Sequence, residues 1–244
     1  MSRRPALISL LTVWLTGLVT VWPAMADAET SREVEDKATE EQLLSSMFPS
    51  GCHFSGQFSQ QKSMQGLPVP LKSAGDFYYS CDLGLVWHTS EPFSEAILYV
   101  NSTNNFRAED DGTLTPLSGV ARYIMSNIFV RLLKGDTGYF TDEFAVTQEP
   151  DGTLLLIPES EMMRKGLEAI RIAKSGTGDG VAPQPAVTIK VTDATGQNTQ
   201  VLIDQIEEYS FEGKRKAWEQ CETLYSGKTN WCRVLLSPAR FDAF

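Results

Sequence analysis

From Cys52 the chain alternates in character. Cys52, Phe54, Gly56 and Phe58 fall on one side and His53, Ser55, Gln57 and Ser59 on the other, the period of a strand with one apolar and one wet face. Gly66-Leu67-Pro68-Val69-Pro70 then interrupts with residues that cannot propagate a ladder, and the alternation resumes with Phe77, Tyr79 and Cys81. A third run, Leu83 to Thr89 with Leu85 and Trp87 in phase, stops at Glu91-Pro92-Phe93. The pattern predicts three sequential antiparallel strands carrying large aromatics on a shared face, the beginning of a sheet that curves around something. His53 and His88 are out of phase with that face and are expected at solvent-facing positions.

The same reading continues along the chain. Ala96 to Val100 and Phe106 to Glu109 are expected as strands, with a tight turn at Asp110-Asp111-Gly112. Five more strands are expected at Phe140 to Thr147, Gly152 to Pro158, Leu167 to Ala173, Ala186 to Thr192 and Thr199 to Ile206, with Glu161 to Arg164 readable as a helical turn. Two stretches carry the helical period instead. Val34, Ala38, Leu43, Leu44 and Met47 mark an amphipathic helix within Ser31 to Phe48, ended by Pro49-Ser50-Gly51, that either caps the sheet or covers it. In Ser118 to Lys134 a wide apolar face is formed by Val120, Ala121, Ile124, Met125, Ile128, Phe129, Leu132 and Leu133. By residue type alone this second helix is one packed on a core. The glycines at 176, 178 and 180 have no strand-to-helix transition around them and belong to a strand connection, not a phosphate cradle.

Three segments give the chain a recognisable character: Phe58-Ser-Gln60-Gln-Lys62; Leu67-Pro68-x-Pro70-Leu71-x-Ser73-x-Gly75-x-Phe77; and Gly84-Leu85-x-Trp87-x-Thr89-x-x-Pro92-Phe93. In spacing and residue type they resemble the LolA-like branch of the outer-membrane lipoprotein carrier family. Weaker echoes follow at Leu133-x-Gly135-Asp136, Phe144-x-Val146, Leu156-Ile157-Pro158, Asp193-x-x-Gly196-x-x-Thr199 and Leu236-Ser237 with Phe244. The resemblance implies a mainly β (α+β) fold: a curved, antiparallel, half-open β-barrel whose apolar concave face is covered by helices. It also implies a periplasmic carrier that binds the acyl chains of a lipoprotein or lipid and shuttles it toward the outer membrane. Phe54, Phe58, Phe77, Tyr79, Leu85 and Trp87 would line the cavity, and Ile124, Met125, Ile128, Phe129 and Leu132 would belong to a lid. Such carriers place an Arg and a Pro just before the strand that ends in Trp, the Arg implied to hold the lid closed; here Asp82-Leu83-Gly84 occupies the region, so the Arg of that latch is not matched and the cargo can be a different acylated one, such as a lipid. Residues 207 to 235 are longer than this region of the family usually is, and Glu212 to Leu235 is expected as an inserted hairpin.

The N-terminus sets the compartment. Arg3 and Arg4, an apolar run from Ala6 to Trp22 and Ala24-Met25-Ala26 read as a secretory signal peptide cleaved after Ala26, leaving residues 27–244 as one carrier domain. The competing reading, a single-span anchor, is disfavoured by the Ala-x-Ala end and the polar segment after it; no lipobox is present. Removing residues 1–26 leaves 19 basic against 31 acidic residues, a net charge of −12. An acidic surface of this kind is repelled by phosphates, which excludes nucleic acid as a partner. The expected partners are the acylated cargo, with donor and acceptor proteins at the two membranes, and the chain is expected to be a monomer. A non-enzymatic module that senses a lipidated ligand is the alternative function on the same fold.

In an exported protein the four cysteines point to two disulfides. If the first hairpin turns at Gly66 and Leu67, residue numbers summing to 133 face each other, and Cys52 with Cys81 satisfies this. A second hairpin turning at Ser226-Gly227 pairs Cys221 with Cys232. No Cys-x-x-Cys, no Gly-x-Ser-x-Gly and no metal-ligand spacing occurs in the sequence. Neither a catalytic residue, a metal nor a cofactor is expected.

Overall fold

In the computed structural model, which describes residues 37–101, 105–117, 128–175, 186–228 and 230–238, the alternation from Cys52 onward becomes a ladder. Strand β1 (His53–Lys62) pairs antiparallel with β2 (Leu71–Ser80), Phe54 opposite Tyr79 and His53 opposite Ser80, so the register that sums to 133 is the one formed. Next come β3 (Gly84–Glu91), β4 (Glu95–Tyr99), β5 (Asn105–Glu109) and β6 (Leu114–Pro116). The chain returns through β7 (Phe144–Gln148), β8 (Leu154–Pro158), β9 (Leu167–Ser175), β10 (Ala186–Asp193) and β11 (Asn198–Glu208). Together they form one 11-stranded sheet in the order β6-β5-β4-β3-β2-β1-β11-β10-β9-β8-β7, with every pairing antiparallel and the outer strands β6 and β7 not bonded to each other. The half-open antiparallel fold expected from the sequence is the fold observed.

The sheet is curved. Ile97 in β4 and Val201 in β11 are four strand steps apart, about 19 Å on a flat sheet, yet both line a single small cavity. The face on which they meet is concave and carries the larger core. In it Phe54, Phe58, Phe77, Tyr79 and Leu85 from the first strands join Leu154, Ile170, Ile189 and Ile203 from the last. Helices close it from above. α1 (residues 37–45) contributes Leu44, with Met47 and Phe48 just beyond, and α2 (residues 128–134) contributes Ile128, Leu132 and Leu133. α2 is terminated by Gly135 at φ +67°, where the Asp136 N–H bonds the Arg131 carbonyl and the Gly135 N–H that of Leu132, the left-handed closure that a β-carbon would disfavour.

The structure corrects three expectations, for Phe140, for the 212–235 hairpin and for the two histidines, and it forms the helical turn expected at Glu161–Arg164. Phe140 is not in a strand but in α3 (Thr137–Glu143), where it packs buried beside Phe144; its aromatic character raises strand propensity, and tertiary packing overrides it. The Glu161–Arg164 turn is α4, with Ser160 accepting from the Met163 N–H as N-cap. β6, three residues ending in Pro116, has no counterpart in the sequence reading.

The largest difference is at 212–235, expected as a two-stranded hairpin. It is two helices, α5 (Lys214–Leu224) and α6 (Trp231–Leu236), joined through Tyr225 to Asn230 and bridged by Cys221–Cys232 at a Cα separation of 5.8 Å. Both expected disulfides form, the other being Cys52–Cys81 at 5.3 Å. This helical pair covers the convex side of β2–β5, where Tyr78, Val86, Leu98 and Phe106 form one cross-strand row against Ala217, Cys221, Trp231 and Val234. Neither histidine is therefore solvent-facing. His53, 3 % exposed, stacks on Phe211 at 4.5 Å and bonds Ser80 Oγ through Nδ1 at 3.0 Å. His88 lies against Trp231 at 5.0 Å. The alternation of β1 set His53 with Ser55, Gln57 and Ser59, but it carried no information about the later segment that folds back over this face and covers the apolar row Tyr78, Val86, Leu98 and Phe106.

Candidate functional site

On the concave face the strand register sets side chains in rows. Phe54, Tyr79, Leu85 and Tyr99 make one row; Phe77, Trp87 and Ile97 make the next. Phe58 belongs to a third, opposite Gly75. A β-carbon on Gly75 would lie 1.9 Å from the His88 carbonyl oxygen, so this position has no room for a side chain. Its emptiness has a use. Phe58 in β1 reaches over β2 to stack on Trp87 in β3, ring centroids 3.7 Å apart, and Phe77 stacks on the same indole at 5.6 Å. Phe129 of α2 meets Trp87 from above, edge-on, at 4.6 Å. Trp87 is thus held by three rings and forms the floor of a gap under α2.

That gap is a cavity of about 170 Å³, walled by Leu85, Trp87, Ile97, Tyr99, Phe129 and Val201. Gln60 and Thr199 close it on the β1–β11 side, Leu117 and Val130 on the other, and among the described residues no carboxylate, lysine or arginine lines it. Of the residues named from the sequence, Leu85, Trp87 and Phe129 border the cavity directly. Phe54, Phe58, Phe77 and Tyr79 lie in the packed layer around it, each 3 % exposed or less. Ile128 and Leu132 are buried in the same core, away from the opening, Leu132 beside Leu44, Phe48 and Phe140. Ile124 and Met125 fall outside the described residues. Sequence reasoning missed Ile97, Tyr99 and Val201. The signal for the first two was present, since they continue the phase of Leu85 and Trp87 one strand on; Val201 is placed by curvature, which periodicity does not encode.

Beside this apolar gap the walls become polar. Arg131, two residues past Phe129, pairs with Asp136 at 2.5 Å and lies 4.1 Å over the Tyr139 ring. Burial first, and then the charge on Asp136, push the Tyr79 hydroxyl up to about 12. Its hydrogen-bond partner is Cys81 Sγ, at 3.9 Å.

On the convex face a polar chain runs through His88. Its Nδ1 contacts Asp76 at 3.0 Å and its Nε2 contacts Ser94 Oγ at 3.3 Å, an order superficially like a nucleophile relay. Ser94 has one hydroxyl hydrogen, however, and donates it to Asp110 at 2.6 Å, while Lys228 holds the same carboxylate at 2.7 Å. The serine is therefore committed to a tether between the β5–β6 turn and the helical pair, not poised for attack. Among the described residues no group of three or more His, Cys, Asp or Glu side chains is placed to hold a metal ion, and no helix is long and apolar enough to cross a membrane.

No family model matches the chain, and no curated protein sequence matches it. Solved structures do. A LolA superfamily protein from Nitrosomonas europaea aligns with a TM-score of 0.43 at 10 % identity, over 72 % of this chain and 94 % of that one. A DUF1329 family protein from Desulfovibrio piger aligns at 0.43 and 10 %, over 77 % and 96 %. A domain described as an outer membrane lipoprotein-sorting protein, from Vibrio parahaemolyticus, aligns at 0.40 and 8 %, over 76 % and 96 %. The chain is similar to these structures at low identity and low score; its fold rests on its own strand register.

Proposed function

We propose that this chain is a non-enzymatic carrier that binds an acyl chain of a lipid or lipoprotein on its concave face, with α2 as the movable cover. The observation that carries this reading is the uncharged cavity between Trp87 and Phe129. A core of this size normally closes on itself, so an apolar gap walled by flat aromatic surfaces fits a flexible hydrocarbon chain better than it fits any polar ligand. At about 170 Å³ the gap is smaller than the ~300 Å³ at which small-molecule sites begin. It accepts a stretch of chain as it stands, and α2 has to lift to admit the rest.

Transfer of a sixteen-carbon chain from water into such a site gains on the order of 12 kcal/mol at about 0.8 kcal/mol per methylene. Between a cavity and a membrane the apolar terms nearly cancel, and a few kcal/mol in cover closure decide the direction of transfer. In this reading residues 1–26 are removed on export to the periplasm and residues 27–244 act as one monomeric domain. Cargo passes between donor and acceptor proteins at the two membranes. The two disulfides suit an oxidising compartment.

The test is binding of an acylated fluorophore to purified protein, with near-UV circular dichroism as folding control. Phe129→Glu puts a charge into the gap and is expected to weaken binding about tenfold or more while the fold is kept. A folded variant with unchanged affinity would sink the reading.

A further inference from the structure

A second, larger cavity of about 490 Å³ adjoins the first, and Tyr99 and Val130 wall both. The two lie in sequence along the strands. Trp87 and Ile97 line only the apolar gap, Leu85 pairs with Tyr99 at its edge, and Gly84, Val100 and Asn101 line the larger space beyond. α2 passes over both. Its Phe129 covers the apolar part, and Arg131 and Lys134, two and five residues further on, reach the second space about 3 and 7.5 Å along the helix axis.

The second space is charged, and the sign of its charge is opposite to that of the chain, whose net charge is −10. Arg131, Lys134 and Lys214 face Asp82 and Asp136 across it. Arg131 is already paired with Asp136, and Asp82 lies 3.8 Å from His53 Nε2. Lys134 and Lys214 have no ion pair or hydrogen bond among the described residues, which leaves two exposed cations on the wall. Lys214 is also the first residue of α5, whose N-cap Gly213 makes no side-chain cap, so the positive end of that helix borders the same space. Tyr79 supplies a neutral donor. It is 3 % exposed, it lines the cavity, and among the described residues its hydroxyl bonds only a disulfide sulfur at 3.9 Å, a weak acceptor. Two ammonium groups that form no ion pair among the described residues, with an under-used hydroxyl, suit an anion with several oxygen acceptors.

We infer that the two cavities form one composite site for an anionic amphiphile, the acyl chain under Phe129 and a phosphate or carboxylate headgroup against Lys134, Lys214 and the Tyr79 hydroxyl. This rests on the acyl-carrier reading and narrows its cargo to lipids with an anionic head. A free anion satisfies only the second half of the site. The apolar half supplies most of the affinity and the cationic half the selection.

The experiment displaces an acylated fluorophore from the wild-type protein with dodecyl phosphate or with dodecylphosphocholine, which share a chain and differ in headgroup charge, and adds inorganic phosphate as a third competitor. Dodecyl phosphate is expected to bind about tenfold more tightly than dodecylphosphocholine at low salt, the gap narrowing as salt is raised. In the Lys134→Gln, Lys214→Gln double variant the two ligands should reach parity, dodecyl phosphate losing far more affinity than dodecylphosphocholine, whose phosphate is balanced by its own choline; both lysines are exposed, so the fold is not at stake. Equal affinity of the two detergents for the wild type, or a preference that survives in the double variant, overturns the headgroup site and leaves the carrier reading standing. Displacement by inorganic phosphate alone, in the concentration range of dodecyl phosphate, also overturns it, by assigning the cations to a free anion. If neither detergent displaces the fluorophore, both inferences fall together.

Discussion

Strands β2 to β4 bury both of their faces, and the two are finished differently. On the convex side the row Tyr78, Val86, Leu98 is met by a helical pair whose two members are cross-linked at Cys221–Cys232; Tyr78 donates to the Ala217 carbonyl at 3.0 Å, and Trp231 is 1 % exposed. The hollow that remains there, about 380 Å³, is bordered by Asp76, His88, Glu207 and Lys228 and is no place for hydrocarbon. On the concave side the row Tyr79, Leu85, Tyr99 is met by α1, α2 and α3, which no disulfide ties, and an apolar gap is left under Phe129. One face is a clamp and the other a seat. The clamp can fix the curvature of the strands while the seat stays loosely filled, because alternate residues of the same strands serve each.

The comparison can be broken most sharply at Trp231. Trp231→Ala removes the anchor of the convex core and should cost about 3–5 kcal/mol in urea unfolding, with acyl binding retained under conditions where the variant is folded. Replacing Cys221 and Cys232 together by Ser opens an 11-residue separation, for which chain entropy gives about 3 kcal/mol as an upper figure; a lower midpoint with the same fluorophore affinity is the expected result. Loss of affinity in either variant would show that the faces are not separable. A third substitution acts on the seat alone. Ile97→Phe fills the gap from the sheet side and should abolish acyl binding while changing stability by less than about 1.5 kcal/mol, the reverse pattern to Trp231→Ala.

The smallest effect concerns the tether at Asp110. Hydrogen bonds from Lys228 and Ser94 hold its carboxyl below the ordinary range. A depressed folded value means that its contribution to stability is complete above the unfolded value of 3.8 and is lost as pH falls through the folded one. The wild-type melting temperature should therefore exceed that of Asp110→Asn slightly at pH 7, and the difference should close as the pH is taken below 3.8. A difference that persists in acid would mean that the asparagine costs packing and not charge.

Much of the seat could be read from the chain and little of the clamp. Period-two alternation placed Phe54, Phe77, Tyr79, Leu85 and Trp87 on one face because strand geometry leaves a one-faced pattern no other solution. It also gave the register that joins Cys52 to Cys81. The clamp failed to declare itself for two reasons. Ala96 to Tyr99 is apolar at every position, which is the mark of a strand covered on both sides, but the pattern does not say what covers it. In Lys214 to Leu224 only Ala217, Trp218, Cys221 and Leu224 carry helical spacing among charged neighbours, and the matching cysteine arithmetic favoured strands. Two cysteines eleven apart satisfy a helical hairpin as well as a β one. The gap itself was out of reach, since Val201 joins Ile97 only through curvature accumulated over four strand steps.

Because β6 and β7 are outer strands that do not bond to each other, the bore of this sheet has no fixed circumference. In a closed barrel, strand number and shear set the diameter, and a larger guest must break ladder hydrogen bonds. Here no pairing links the two edges, so ladder hydrogen bonds do not set the distance between them. A three-residue edge strand ending in proline also gives little purchase for a foreign strand to add. The girth of the concave face is therefore set by how its side chains and covering helices pack, not by closure of the ladder.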